Sequence, residues 1–331
     1  AAVYLNGKLL GKHRDPYSPF SLNASGLKPG QPNLLAVRVD NRLGRFDREG
    51  WWNWGGITRP VKLRPVGPVE LTQLGVMPRL KCRTGGSACK AAVTVDVLVR
   101  NRNRVPQAPQ IAVNLKSPRG VVTAHTVSVP PLKPGQQRRV RFAVPVAGTP
   151  ELWDPITPQL YSTTVEARVG GSVVQRDQLR TGMRSVRVHN GLLQLNFRPV
   201  SLRGASIHED LPGKGAALGT DGVEQIVTDL KNVGAKITRS HYPLSQQLLN
   251  RLDEEGILVW GQAPVYHADG LLKHGGERKQ AIESVRSAVL AHRSHPSVIT
   301  NSIANELSVE PDHRGPTRRF IARAVAAARD L

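Results

Sequence analysis

Acidic residues are scarce in this 331-residue sequence: 25 Asp and Glu stand against 46 Lys and Arg, a formal net charge of +21. Such a balance invites a nucleic-acid reading. The distribution argues against it. The densest basic runs, Arg38 to Arg48, Arg100 to Arg104 and Arg138 to Arg141, lie in different segments, and none forms a block interleaved with aromatics. The charge reads as an arginine-rich background, and no nucleic-acid partner is expected. Long apolar runs are lacking too. Nothing approaches the ~20 residues of a membrane-spanning helix, so no membrane partner is expected. Cysteine is limited to Cys82 and Cys89, with no CxxC pair, which leaves no zinc framework from these residues. Repeats at solenoid spacing and low-complexity linkers are absent, and no signal peptide is visible. The sequence also lacks an initiator Met and opens inside a strand-like run, Val3 to Lys8. It therefore reads as a piece of a longer protein.

Apolar residues make up 39% of the chain and charged residues 21%, enough to build cores at a length that suggests more than one domain. Residues 1–67 read as strands and turns. Ala2–Leu5, Leu34–Val39 and Val61–Leu63 are predicted strands, with Asn6-Gly7 and Pro29-Gly30 as turn signals. Three of the five tryptophans cluster at Trp51, Trp52 and Trp54, costly in a loop unless they pack or bind something. Residues 68–181 are again all-β. Ala91–Arg100, Val121–Val129, Arg139–Val146 and Thr163–Val169 recur at the rhythm of a β-sandwich. Cys82 and Cys89 flank a Gly85-Gly86 turn, where a hairpin would bring them face to face as a disulfide. A bridge would place the protein in an extracytoplasmic compartment.

From residue 182 the pattern becomes strand and amphipathic helix in alternation. The predicted strands are Val200–Ile207, Ala235–Arg239, Ile257–Trp260 and Val298–Ala304. The helices are Gly222–Val233 with Thr220 as N-cap, Gln246–Glu255 closed by Gly256, Glu277–His292 and Thr317–Asp330. Four β/α units in succession predict a parallel, helix-covered sheet. A closed eight-unit barrel takes about 250 residues, so residues 182–331 correspond to its N-terminal half. Functional groups in such barrels gather just past the C-terminal strand ends. Here those positions carry His208-Glu209-Asp210, His241-Tyr242, Gln262 and Asn305-Glu306. Histidines, carboxylates and an amide converging on one mouth suit acid/base chemistry on a polyhydroxylated substrate.

Several long motifs now stand in one order: WWNWGGITRPVKL from Trp51, RGASIHEDLPGKG from Arg203, TRSHYP from Thr238, DEEGILVW from Asp253 and HPSVITNSIANE from His295. Together they resemble family 2 glycoside hydrolases, in the β-glucuronidase and β-galactosidase branch. The resemblance implies three domains. Residues 1–67 would be the C-terminal part of a sugar-binding jelly roll, 68–181 an immunoglobulin-like β-sandwich, and 182–331 the first half of a TIM (β/α)8 barrel. It implies a retaining β-glycoside hydrolase acting on a carbohydrate substrate without a cofactor. Glu306 matches the general acid/base, whose pKa partial burial and an ionised nucleophile would raise. Asn305 matches the residue that contacts the sugar 2-hydroxyl. His208 and His241 match sugar-contacting histidines, and Asp210 is a further substrate-binding candidate.

The nucleophile glutamate of the family lies on a later strand, so the chain is expected to carry the acid/base without the nucleophile and to be inactive alone. Three departures stand out. The Trp-Ser usual before the Asn-Glu motif is Asn301-Ser302, replacing a barrel-packing Trp. Gln262 stands where many relatives have Glu. Gly50, beside Glu49, stands where related enzymes often carry Asp. They leave open the sugar specificity and an alternative reading, a non-catalytic carbohydrate-binding or scaffold member of the fold. Homo-oligomerisation is also left open.

Overall fold

A computed structural model describes residues 1–41, 54–83, 88–266, 269–307 and 314–331. The chain begins with a small antiparallel sheet. Strand β1 (Ala2–Leu5) is flanked by β2 (Lys8–Lys12) and β3 (Leu35–Arg38). The β1–β2 turn is Asn6-Gly7, both with positive φ, the geometry that matches strand twist. The predicted strand Val61–Leu63 does not form. Its side chains are exposed and Pro60 and Pro65 bracket it, so no neighbour completes a ladder there.

A β-sandwich follows. One sheet has the order β4-β5-β8, from Val69–Lys81, Lys90–Asn101 and Gln137–Pro145. The other has the order β10-β9-β6-β7, from Gln110–Lys116 (β6), Val122–Ser128 (β7), Tyr161–Val169 (β9) and Ser172–Thr181 (β10). Alternation places Val93, Val95, Val97 and Val99 on the inner face of β5, opposite Ile111, Val113, Leu115 and Val165, all fully buried or nearly so. Strand β4 escaped the sequence reading because its period breaks: Gln73 has φ of +49° and the register slips between Thr72 and Gly75, a bulge. Cys82 and Cys89 are joined in a disulfide. The Gly85-Gly86 turn proposed between them lies outside the described residues.

A three-stranded hairpin sheet, β11 (Val186–His189), β12 (Leu192–Leu195) and β13 (Arg198–Pro199), leads into the parallel sheet β14-β15-β16-β17. Its strands are Gly204–Ser206, Ile237–Arg239, Leu258–Gln262 and Val298–Ser302. They alternate with α1 (Thr220–Asn232), α2 (Gln246–Glu255), α3 (Asp269–Leu272), α4 (Gly275–His292) and α5 (Arg314–Arg329). The first strand is shorter than the predicted Val200–Ile207. Val200 and Leu202 leave the ladder to pack with Leu195, Ile237, Leu258 and Ile299, a cluster that closes the N-terminal end of the strands. The opposite end is therefore the one left for function. Thr220 is the first residue of α1 and not its cap. The cap is Gly219, without a side-chain bond, and the Thr220 hydroxyl instead accepts from Gln247 Nε2 at 3.0 Å. At α2 Ser245 caps through its hydroxyl, and Gly256 takes the left-handed conformation that ends the helix without a Cβ penalty.

Sandwich and barrel are joined by buried polar contacts. Trp153, fully buried, donates through its indole to the Asp253 carbonyl at 2.8 Å. Arg184 donates to the carbonyls of Pro296 and Val298, each at 2.5 Å, and burial lowers its pKa to about 10 against the opposing charge of Asp253. On the outer face of β5, Asp96 is 1% exposed and receives Arg139, Arg141 and, from the end of α4, Arg293.

Closing the short Cys82–Cys89 loop restricts the unfolded chain by about 2–3 kcal/mol. Neither cysteine of the native protein should alkylate until reductant is added, and the reduced protein should unfold at lower denaturant. Two thiols that react freely in the unreduced native protein would contradict this.

Candidate active site

Four parallel strands deliver their last residues to one mouth. Behind β14 stand His208, Glu209 and Asp210; behind β15, His241 and Tyr242; at the end of β16, Gln262; behind β17, Asn305 and Glu306. The His208 and His241 rings meet edge to face with centroids 6.1 Å apart, and His241 lies 6.5 Å from the Tyr266 ring. Tyr266 in turn bridges Asn305 in parallel register, and the Asn305 N–H donates to the Val265 carbonyl at 2.8 Å. The loop after β16 thus fixes the backbone on which Glu306 follows. Glu306 takes φ of +47°, a conformation costly for a residue with a Cβ and typical of functional positions. Its side chain is exposed, so the partial burial expected from the sequence is not supplied by these residues.

Burial lowers the pKa of His208 against the charge of Asp210, which favours a neutral ring able to exchange hydrogen bonds with hydroxyls. Tyr242 accepts the Glu209 N–H at 2.9 Å, and its hydroxyl lies 3.4 Å from His208 Nδ1. Burial raises the Tyr242 pKa, so the phenol stays protonated.

Sequence reasoning passed over several residues here. Arg239, the last residue of β15, donates from Nε and Nη2 to Gln262 Oε1 at 3.1 and 2.6 Å, and from Nη2 to Asn305 Oδ1 at 2.5 Å. Gln262, which the sequence places at a strand end but assigns no contact, is fully buried and passes its amide N–H to the His241 carbonyl at 3.4 Å. Glu209, 1% exposed, receives Arg59 at 2.7 Å and the Ser245 N–H at 2.8 Å, both on Oε2. Tyr17 stacks on Tyr242 at 4.1 Å, and Trp54 donates to Asp210 at 3.0 Å. Three residues of the first segment therefore reach the mouth of the barrel. For Trp54 and Arg59 the signal was present, in WGGITRP at the end of the tryptophan cluster, but their partners lie some 150 residues away. Gly50, Trp51 and Trp52 lie outside the described residues.

The replaced barrel Trp also finds an explanation. Asn301 points toward α4, where its Oδ1 lies 2.7 Å from Nδ1 of the buried His292. Gly261 on the neighbouring strand makes room, since a Cβ there would come 2.8 Å from that nitrogen. Burial pushes the His292 pKa down to about 4 from an ordinary 6.5, against the Asn301 bond. The unfolded chain binds this proton first. The stability contributed by the neutral ring is complete above pH 6.5 and is lost progressively as pH falls toward about 4, roughly 3 kcal/mol in all. Denaturant unfolding between pH 7 and 4 should show this slope, and His292→Gln should flatten it; an unchanged slope would contradict the assignment. Arg59→Met, which strands the buried Glu209 charge, should lower the unfolding free energy by about 3 kcal/mol, read from the same experiment. Loss of a few tenths would show the pair to be idle.

Comparison with known proteins follows these lines. The profile of the TIM barrel domain of glycosyl hydrolases family 2 matches residues 186–325, and that of glycosyl hydrolases family 2 matches residues 78–184. A β-galactosidase of Bacteroides ovatus is 28% identical over 312 residues, 92% of this chain and 36% of its own length. A β-galactosidase of Thermoanaerobacter pseudethanolicus is 27% identical over 313 residues, 90% of this chain and 40% of its own. The crystal structure of a Bacteroides uniformis β-glucuronidase superposes with a TM-score of 0.84 at 23% identity, a likeness of fold, over 99% of this chain and 41% of that one. The chain thus spans about two fifths of the relatives it matches. With two profiles of one family covering most of the chain between them, the chain belongs to glycoside hydrolase family 2.

Proposed function

We propose that the protein containing this chain is a retaining β-glycoside hydrolase of the β-glucuronidase and β-galactosidase kind, with Glu306 as general acid/base and Asn305, His208, His241 and Asp210 as sugar contacts. The observation that carries the reading is the placing of Asn305-Glu306 just beyond the C-terminal end of β17, in the mouth where His208 and His241 meet. Retention needs two carboxylates about 5–5.5 Å apart. Among the described residues Glu209 is the other glutamate of this mouth, but Arg59 and the Ser245 N–H hold its Oε2, which suits a structural group and not a nucleophile. The nucleophile is then supplied from outside these 331 residues.

In the first step that carboxylate attacks the anomeric carbon while Glu306 passes its proton to the departing glycosidic oxygen. In the second, Glu306 takes a proton from water, and the water attacks the same carbon from the face the leaving group vacated, breaking the bond to the nucleophile and releasing it as a carboxylate. A neutral His208 ring and the Asn305 amide offer uncharged hydrogen bonds to ring hydroxyls, which costs no charge desolvation.

The full-length protein should release the sugar from an aryl β-glycoside with its anomeric configuration retained, followed by NMR of the first-formed product. An inverted product sinks the mechanism. Glu306→Gln should slow substrates with poor leaving groups by roughly a hundredfold or more and activated aryl glycosides far less, since acid assistance counts most for the former. Equal slowing of both would remove Glu306 from the role.

A further inference from the structure

Trp54 is held in two ways. Its indole N–H donates to Asp210 at 3.0 Å. One face of its six-membered ring lies on Gly215, where a Cβ would come within 3.0–3.2 Å of three ring atoms. The rest of the indole is open, and the residue is 45% exposed. It lines a cleft of about 400 Å³ together with Gly55, Ile57, Thr58 and the loop Gly213–Ala217. That loop does not fill the cleft. Gly213, Gly215, Ala216 and Ala217 carry a methyl group at most, and the Lys214 amine is engaged by Asp221 at the start of α1. The Asp210 carboxylate at the rim is likewise engaged, by the indole. The cleft therefore offers apolar surface from the indole, Ile57 and two alanines, a hydroxyl from Thr58 and the peptide groups of a glycine-rich loop, with its charges already paired. This lining suits an uncharged sugar ring, whose C–H faces pack on apolar groups while its hydroxyls reach the polar ones.

The cleft adjoins the mouth but lies away from the bond to be broken. Glu306 stands beyond β17, at one edge of the four-stranded sheet, and Asp210, which holds Trp54, stands behind β14 at the other. Three strand spacings separate the two edges, about 14 Å along the sheet. The leaving oxygen departs toward Glu306, so a group seated against Trp54 belongs to the opposite side of the substrate. We propose that this cleft is a subsite for a second, uncharged sugar unit, joined through a ring hydroxyl to the sugar whose glycosidic bond is cleaved. The inference rests on the glycosidase reading and extends it to the substrate class. The bonds made and broken are those of the same hydrolysis, but the glycone released is a disaccharide. An aromatic ring fixed beforehand by Asp210 and Gly215 loses little freedom when a sugar packs on it. Binding at such a distance from the anomeric carbon can hold the reacting ring in register with Glu306.

The test uses the full-length protein with 4-nitrophenyl β-galactoside and 4-nitrophenyl β-glucuronide, each plain and each carrying a further galactosyl unit on O3 or O4. It reads the ratio of kcat/KM for substituted and plain substrate, with the released sugar identified by mass. The wild type should set free an intact disaccharide from at least one substituted substrate, with kcat/KM no lower than for the plain counterpart. Ala217→Phe, which fills the cleft, and Ile57→Asp, which sets a charge against the sugar C–H face, should each lower that ratio by roughly tenfold while the plain substrate is cleaved as by the wild type. Both positions are exposed, and if one variant fails to fold the other decides. A ratio that neither variant moves, or a wild type that cleaves a plain glycoside and no substituted one, would overturn the inference and leave the glycosidase reading standing. A wild type that hydrolyses none of these glycosides would remove the functional reading and the inference with it.

Discussion

Asp253 sits where the second helix of the barrel, the fourth strand and the β-sandwich converge, and the placing of the candidate catalytic residues depends on it. One carboxylate oxygen accepts the Ser297 N–H at 3.0 Å and the other lies 2.6 Å from His295 Nδ1. Its carbonyl accepts the Trp153 indole. Ser297 immediately precedes β17, so this buried cluster sets where that strand begins. A five-residue strand leaves little slack, and the residues at its far end are placed as firmly as those at its start. Arg239 and the Val265 carbonyl hold that far end. The strand bearing Asn305-Glu306 is thus held at both termini by hydrogen bonds among buried groups, where competing water is scarce and misalignment costs most.

The mouth is equally dependent on the first segment. Tyr17, Trp54 and Arg59 supply a ring, an N–H and a charge to Tyr242, Asp210 and Glu209, all on the first two strand ends. These contacts are what a preformed site requires: groups that touch a ligand gain precision when a surrounding layer fixes their rotamers. The first segment is therefore part of the construction of this mouth, and the Arg59–Glu209 pair ties it to the strand end that also carries His208.

The sequence showed the four β/α units, the sandwich rhythm and the strand-end residues, because each rests on local periodicity and on the rule that barrel function lies past C-terminal strand ends. It overstated strands at Val61–Leu63 and Val200–Leu202, where apolar character reflects packing or exposure and not a ladder. It missed β4, whose bulge breaks the alternation, and β6, β10 and the hairpin sheet at the barrel base. Arg239 went unremarked for a different reason. In a chain with this many arginines one more carries no local signal; what sets it apart is the pair of neutral amides around it, and they come from strands 23 and 66 residues further on.

The basic composition takes on another meaning from these contacts. Arg184, Arg239 and Arg293 are spent on carbonyl and amide oxygens between elements, and Arg59, Arg139 and Arg141 on buried carboxylates. A planar cation with five donors can join several acceptors from different strands and helices, which lysine cannot do as well. Where cores are built largely of valine, leucine and alanine, with aromatics at 5% of the chain, such guanidinium hubs supply directional contacts between layers that bulky rings would otherwise provide. Burial lowers the pKa of Arg184 and Arg293 to about 10, and both remain charged at neutral pH. Part of the excess charge of this protein is therefore internal mortar between its elements, held in place by the donor-only chemistry of the guanidinium.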